Sequence, residues 1–361
     1  EWPHSDRLPH AGSNAFGFGG TNAHLILSAY DAATESSPLP APAPAQAMAI
    51  TGMELHVGAC ERLVDFYLAL VRGEDFFRSL PPKCWKGMEQ ILEKDEQWAL
   101  PTEDSSRGAW PESYDLDLLR FKIQPKEAER LTYQQTLLLK VAYEALKDAG
   151  MESLAGKGAN VAVITAMESE LEIHRRMGRW DLSWQVNQAL SQAGFELETA
   201  REAQLTRALK NAVFQAHEDH SPSEHTGFIG NIMSSRISAL MDFTGPAFTI
   251  SSTENAVYKG LEVARNLLAS GEVDAVVLGA IDLTGSVERL LSRRALHPVS
   301  GKGPSPAWER DTQGWTIGEG AGAIVLRRAE DTTKTDRVYA RLDDLVLVQS
   351  ERTDARGRST A

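Results

Sequence analysis

The segment from residue 245 to residue 268 constrains the fold most, because it predicts a strand that runs directly into a helix. The apolar stripe of this helix consists of Val257, Leu261, Ala264 and Leu268. The turn before it presents Glu254 at the helix N-terminus, where unpaired N–H groups and the helix dipole favour negative charge. A thiol at such a position becomes a nucleophile, whereas a carboxylate is a stabilised anion and a poor acyl acceptor.

Glu254 also has a purely structural interpretation. Ser251-x-x-Glu254 has the spacing of a capping box, and acidic residues are common in the first turns of helices. The residues of the turn by themselves therefore leave a capping role and a functional role open.

Strands and helices alternate along most of the remaining chain. The predicted strands are residues 48–53, 160–165, 248–250, 273–281, 321–327 and 338–348, and the predicted helices cover residues 63–71, 132–149, 254–270 and much of 167–220. This alternation predicts an α/β architecture with buried, largely parallel strands. In the first helix, Phe66, Tyr67 and Leu70 are predicted to belong to the core rather than to a cofactor site.

Composition narrows the possible partners. The chain of 361 residues has 37 Lys and Arg against 50 Asp and Glu, a formal net charge of −13, which argues against nucleic acid and anionic membranes. Cys60 and Cys84 cannot build a disulfide framework and fit a reduced, cytoplasmic compartment. The apolar run of residues 275–281 is far shorter than the roughly 20 residues of a membrane-spanning helix. The N-terminus has no signal-peptide character.

Five segments, in order along the chain, resemble the ketosynthase family. These are the Gln134-Gln135 helix up to Gly150, the Asn231 to Ser238 helix, the segment from Gly245-Pro246 to Ala256, the strand after Gly271-Glu272, and Gly318-Glu319-Gly320-Ala321-Gly322. In ketosynthases the third segment carries the motif Asp-Thr-Ala-Cys-Ser-Ser. The corresponding residues of this chain are Ser251-Ser252-Thr253-Glu254-Asn255-Ala256. The resemblance therefore implies that Glu254 occupies the position of the nucleophilic cysteine.

The resemblance implies a thiolase-like fold, in which two similar βα halves form αβαβα layers. This chain is expected to carry mainly the N-terminal half, with residues 338–348 opening the second half. The two catalytic histidines of the family come from that second half, and neither of their motifs occurs in this sequence. We therefore expect the Cys-His-His set of a condensing enzyme to be absent from this chain.

The same resemblance implies that the N-terminal residues 1–30 belong to a different domain from the rest of the chain. Asn14 to His24 matches the Phe-Gly-Phe-Gly-Gly-Thr-Asn-Ala-His signature that closes a ketosynthase. Residues 1–30 are therefore expected to be the C-terminal fragment of a preceding ketosynthase, residues 31–46 a Pro/Ala-rich linker, and residues 47–361 a chain length factor domain with a truncated second half. The substrate-tunnel or gating loop of the preceding ketosynthase would comprise Phe16, Gly17, Phe18, Gly19 and Gly20.

This tandem order resembles that of polyunsaturated fatty acid synthases, which are polyketide-like. It implies a non-condensing domain that pairs with an active ketosynthase on the same polypeptide as a pseudo-dimer and shapes the acyl tunnel. The domain would be part of a 3-oxoacyl-[acyl-carrier-protein] synthase-type transferase, with no bound cofactor and with substrates on the 4'-phosphopantetheine of an acyl carrier protein. The alternatives are a malonyl-carrier decarboxylating domain and a carrier-protein docking module that uses Arg175, Arg176 and Arg179.

Other patterns in the sequence have weaker functional interpretations. The spacing of Gly17, Gly19 and Gly20 does not match a dinucleotide-binding loop. The polar cluster at residues 217–225 matches no established metal-ligand set, so no metal is expected. Ser251 and Ser252 are not part of a Gly-x-Ser-x-Gly nucleophile elbow.

Overall fold

The computed structural model describes residues 10–16, 22–29, 46–85, 107–111, 113–128, 131–168, 181–215, 229–283, 286–296 and 314–347. The strands are β1 (His10–Phe16), β2 (Asn22–Ser28), β3 (Met48–Val57), β4 (Gly108–Ala109), β5 (Val161–Ala166), β6 (Ala247–Ile250), β7 (Ala275–Asp282), β8 (Ile317–Gly318), β9 (Gly320–Arg328) and β10 (Ala340–Leu342). The helices are α1 (Leu63–Arg72), α2 (Pro82–Trp85), α3 (Pro125–Ala128), α4 (Tyr133–Asp148), α5 (Leu182–Gln192), α6 (Thr199–Gln215), α7 (Asn231–Met241), α8 (Ala256–Ala269) and α9 (Val287–Leu296).

A six-stranded sheet in the order β10-β3-β9-β7-β5-β6 organises the fold. β5 pairs in parallel with both β6 and β7, whereas β7–β9, β9–β3 and β3–β10 are antiparallel. The expectation of a largely parallel sheet is therefore wrong. β7 and β9 are antiparallel although α9 lies between them in the chain, because strand direction depends on the path of the connection and not on the apolar pattern of the strands.

Helices cover both faces of the sheet, because successive strand residues point to opposite sides. Val161 and Val163 of β5 lie in one apolar cluster with α4 and α7. Ala162 and Ile164 of the same strand lie in a second cluster with α8. The central strands are buried on both faces, which explains why their sequences are continuously apolar rather than alternating.

Helix α4 has the boundaries that the sequence predicted. Thr132 caps its N-terminus by accepting the N–H of Gln135 at 3.3 Å, and Gly150 follows its C-terminus with a positive φ of 71°. The helix lies directly against β3, where a Cβ on Gly52 would stand 2.5 Å from the carbonyl oxygen of Ala145. A glycine at position 52 is therefore required for this close approach.

Helix α1 departs from the sequence-based expectation. Tyr67 and Leu70 are 63% and 65% exposed, and Ala69 is the buried residue of this helix. Phe66, the third residue of the predicted stripe, is half-buried. The core assignment for this stripe is therefore wrong for two of its three residues, since helical spacing shows that a face is apolar but not that another element covers it.

The predicted strand at residues 338–348 is much shorter in the structure. Ala340–Leu342 forms β10, which pairs antiparallel with the start of β3 at the edge of the sheet. The N–H of Tyr339 also bonds to the carbonyl oxygen of Ile50 at 2.8 Å. Within the described residues this segment extends the first sheet, so its proposed role in opening a second half stays a prediction.

His56 of β3 is fully buried, at 0% exposure, and neither ring nitrogen has a hydrogen-bond partner among the residues that the structure describes. Its ring packs edge-on to that of Tyr114 at 5.6 Å, and the ammonium group of Lys140 lies 4.7 Å from the same Tyr114 ring. Burial lowers the pKa of His56, and the charge of Lys140 lowers it further, against a smaller opposing effect of Glu61. Burial therefore favours the neutral form of the imidazole in the folded chain.

Replacing His56 with Phe should remove a component of acid sensitivity. Because the pKa of His56 is lower in the folded than in the unfolded chain, its contribution to stability is complete above about pH 6.5 and is lost as the pH falls. The native chain should lose up to about 1.4 kcal/mol of unfolding free energy per pH unit from this one group, and His56→Phe should not. Urea unfolding of both proteins at several pH values measures this, and equal pH slopes would contradict it.

Candidate functional site

The candidate site lies where β5 and β6 end side by side. The two strands are parallel, with Thr165 opposite Thr249 and Ala166 opposite Ile250, so their carboxyl ends meet at one edge of the sheet. Gly245 precedes β6 at a point where a Cβ would lie 2.5 Å from the carbonyl group of Val161. The Gly-Pro that introduces this strand therefore allows the close contact with β5 that aligns the two ends.

The connection from β6 to α8 is a strained turn. Residues Thr253–Asn255 form a single 3₁₀ turn, and α8 begins at Ala256. Thr253 has φ of 47°, a left-handed conformation that a β-branched residue rarely adopts. A non-glycine residue in this conformation has to be held by its surroundings, and such strain is typical of functional turns.

The segment after β5 holds this turn in place. The hydroxyl of Ser251 donates to the carbonyl oxygen of Met167 at 2.7 Å, and the N–H of Met167 donates to Ile250 at 3.1 Å. The carboxylate of Glu168 accepts the N–H of Thr253 at 2.6 Å. A hydrogen bond to a carboxylate is stronger than one between neutral groups, and this one acts on the strained residue itself.

Glu254 lies in the 3₁₀ turn at the N-terminal end of α8 and is exposed. The predicted strand–turn–helix and the position of this residue within it are thus present in the structure. A capping box would require Ser251 to be the residue just before the turn, but that residue is Ser252. The hydroxyl of Ser251 bonds instead to the carbonyl oxygen of Met167. Ser252 makes no side-chain capping bond either.

Ser234 of α7 supports the site through hydrogen bonds to the two strands that lead into it. Its hydroxyl, at 0% exposure, lies 2.9 Å from the carbonyl oxygen of Phe248 and 2.8 Å from the hydroxyl of Thr165. A hydroxyl group has one proton to donate and can also accept, so Ser234 can bond to both partners at once. This one buried group links a helix to β5 and β6 a few residues before the turn.

Two of the sequence motifs that carry the family resemblance converge on the same region. Gln134 of α4 is buried and its amide lies 3.9 Å from the sulfur of Met167. On α7, Arg236 forms an ion pair with Glu127 at 2.6 Å, which fastens this helix to α3. The strands β7 and β9, which carry the other two motifs, form the centre of the sheet and support the site without lining it.

None of the other residues that the sequence singled out is placed at this turn by the described part of the structure. Phe16 is 78% exposed at the end of β1, and Gly17, Phe18, Gly19 and Gly20 lie outside the described residues. The polar cluster at 217–225, most of the 31–46 linker and Arg175, Arg176 and Arg179 also lie outside them. Over the described ranges, no group of three or more His, Cys, Asp and Glu side chains is arranged to bind a metal, and no helix is long and apolar enough to cross a membrane.

Sequence reasoning missed Glu168. It follows the predicted strand at 160–165 by three residues, and residues that follow one strand of a parallel pair lie beside those that follow the other. That rule could have placed Glu168 near the turn before α8. The direction of its carboxylate toward the N–H of Thr253 is a tertiary detail that no local pattern encodes.

Chemically, the site offers main-chain donors and carboxylates. Glu254 and Glu168 bring two acidic side chains to one turn, and no hydrogen bond described there involves a cysteine or a histidine. Acyl transfer needs a soft nucleophile and a base, and no hydrogen bond described at this turn supplies either. Cys60 is buried on the approach to α1, and burial raises the pKa of its thiol, so it is a poor substitute.

Comparison with known proteins places these features in a family. Residues 45–332 match the family described as Beta-ketoacyl synthase, N-terminal domain. A polyunsaturated fatty acid synthase protein of Thraustochytrium sp. is 32% identical over 359 residues, which cover 96% of this chain and 16% of that protein. A solved PfaC Keto synthase-Chain length factor structure is 37% identical with a TM-score of 0.74, covering 93% of this chain and 34% of that one.

A more distant structure agrees in fold alone. The ketosynthase from module 6 of the bacillaene synthase from Bacillus subtilis 168 is 21% identical with a TM-score of 0.55, over 82% of this chain and 42% of that one. The thiolase-like, ketosynthase fold expected from the sequence is therefore confirmed. The chain spans about a sixth of the curated relative and about a third of the PfaC structure.

Replacing Ser234 with Ala should destabilise the chain by about 1–3 kcal/mol, because it leaves buried oxygens of β5 and β6 without their partner. Urea unfolding measures the change. Ser270→Ala is the matched control, since Ser270 is exposed and bonds only within its own helix end, and should stay within about 0.5 kcal/mol of the native chain. Equal effects of the two substitutions would contradict the proposed support of the site by Ser234.

Proposed function

This chain belongs to the beta-ketoacyl synthase family, and from that premise we propose that residues 47–361 form a non-condensing, chain-length-factor-type partner of a ketosynthase. The observation that carries the proposal is Glu254 in the turn before α8, where the resemblance places the nucleophilic cysteine. A carboxylate at a helix N-terminus is stable as an anion and accepts an acyl group poorly. In this proposal the domain keeps the fold of the family but has lost the nucleophile needed for condensation.

The edge of the sheet supports the pairing part of the proposal. β6 is the last strand of the sheet order, so its outer side presents main-chain groups to which a second sheet can add. Next to it, α8 exposes Val257 and the 54% exposed Tyr258. An edge strand beside exposed apolar side chains suits a protein–protein interface, and this supports the proposal that the ketosynthase partner pairs at this strand.

The N-terminal hairpin supports the domain order. β1 and β2 pair over their whole length, yet Phe16 and the Leu25–Leu27 segment are exposed. An isolated two-stranded hairpin is marginally stable in water and needs a surface to cover its apolar side. We assign residues 1–30 to a preceding ketosynthase, with residues 31–46 as the linker and Phe16–Gly20 as part of its tunnel or gating loop.

The substrates of the complete synthase would arrive on the 4'-phosphopantetheine of an acyl carrier protein, and the domain itself would bind no cofactor. Together with the ketosynthase it would define the acyl tunnel and so influence product length, in a polyunsaturated fatty acid or polyketide-like pathway. Decarboxylation of malonyl groups is the competing proposal. The two acidic side chains at the turn oppose it, because they disfavour the developing enolate.

Replacing Glu254 with Ala in the intact synthase should leave the rate of condensation within about twofold of the native rate, because Glu254 is not the nucleophile. Loss of a true nucleophile would lower the rate about a thousandfold or more. Product formation from radiolabelled malonyl groups on the carrier protein measures this. Release of carbon dioxide is recorded in parallel. A loss of the size expected for a nucleophile, or abolished carbon dioxide release, would contradict the non-catalytic role and favour the decarboxylase.

Replacing Tyr258 with Asp in the same synthase should weaken the pairing with the ketosynthase, because a charge is then buried in the interface without a partner. We expect shortened products, lower yield, or both, measured by gas chromatography of the released acids. Tyr67→Asp is the matched control, since Tyr67 is similarly exposed but lies on α1. If both variants change the products alike, the proposed interface at α8 is wrong.

A further inference from the structure

We propose that Glu168 is a second determinant of the turn before α8, which keeps this position unsuited to a thiolate or an oxyanion whichever residue stands at 254. The inference deepens the proposed non-condensing function and rests on it. Glu254 in the place of a cysteine accounts for the missing nucleophile. Glu168 would act differently, because its charge would make the surroundings of residue 254 unfavourable for a thiolate.

The geometry fixes the carboxylate of Glu168 at the turn. Glu168 lies two residues after the end of β5, and its carboxylate oxygen is 2.6 Å from the N–H of Thr253. The preceding residue, Met167, is bonded to the β6 side at both its N–H and its carbonyl oxygen. The backbone that carries Glu168 is therefore anchored on the same strand end that carries the turn.

The hydrogen bond has two chemical consequences. It occupies one of the main-chain donors at the turn, which is then not available to an incoming carbonyl oxygen. It also holds a negative charge next to residue 254, because Thr253 and residue 254 are neighbours in the chain. A nearby like charge raises the pKa of a thiol and disfavours an oxyanion.

No cation in the described part of the chain neutralises Glu168 through an ion pair. The described cations of α7 and α8 form ion pairs with other acids, including Arg265 of α8 with Asp344 at 3.6 Å. On α8, Lys259 pairs with Glu262 at 3.0 Å, and on α7, Arg236 pairs with Glu127 at 2.6 Å. The helix dipole of α8 favours an anion at this end, and Glu168 is one of the anions that use it.

The test introduces a thiol at position 254 as a probe of charge. In the full chain, Glu254→Cys is compared with Glu254→Cys/Glu168→Gln, where Gln still accepts the N–H of Thr253 but carries no charge. Alkylation by iodoacetamide is followed between about pH 6 and pH 10, which brackets thiol ionisation. Mass spectrometry of the peptide that contains residue 254 separates its reaction from those of Cys60 and Cys84.

We expect the apparent pKa of the introduced thiol to be lower by about one unit in the double variant, with about tenfold faster alkylation at neutral pH. Glu254→Cys/Glu272→Gln is the matched control. Glu272 is an exposed acid just before β7 begins, at the opposite end of the parallel strands from the turn, and its removal should not shift the profile. The alkylation of Cys60 should stay unchanged in all variants.

Identical pH profiles with and without the charge at position 168 would overturn the inference, as would an equal shift from Glu272→Gln. Glu254→Cys/Glu168→Ala is the second variant and should lower the thiol pKa as well, because it removes the same charge. The alkylation profile reports the charge at the turn whether or not the domain condenses. Its failure is therefore distinct from a failure of the Glu254→Ala condensation assay, which tests the proposed function itself.

Discussion

The parallel pairing of β5 with β6 is the constraint on which the site depends. It brings the ends of two strands together, so that Met167 and Glu168 from one chain segment meet Ser251 and Thr253 from another. The buried hydroxyl of Ser234 ties both strands to α7, and Gly245 allows their close approach. Because the turn before α8 places Thr253 in a left-handed conformation, it needs this external support to persist.

The chemistry of the site follows from what the turn presents. The strand–turn–helix holds Glu254 in the 3₁₀ turn at the N-terminal end of α8. With Glu168 hydrogen-bonded to the adjacent N–H, the turn combines stabilised negative charge with no thiol. The proposed pairing role depends instead on the edge strand β6 and on the exposed side chains of α8.

The sequence predicted much of the fold and part of the site. The alternating apolar segments predicted β5, β7 and α8, and the helix expected at residues 132–149 ends before Gly150, as α4 does. The sequence did not predict the antiparallel entry of β3, β9 and β10, since strand direction depends on connections and not on apolar pattern. It also placed Tyr67 and Leu70 in the core, because a helical stripe reveals an apolar face but not its covering.

By itself, the sequence determined that a strand would run into a helix with Glu254 at the junction, and that the segments around it resemble a ketosynthase. These features depend on local propensity and on order along the chain. The tertiary structure decided that Glu168 meets Thr253, that Ser251 bonds to Met167 rather than capping a helix, and that His56 is buried without a partner among the described residues. The physical reason is that hydrogen bonds between residues about 85 positions apart depend on how strands align in three dimensions, and no local pattern carries that information.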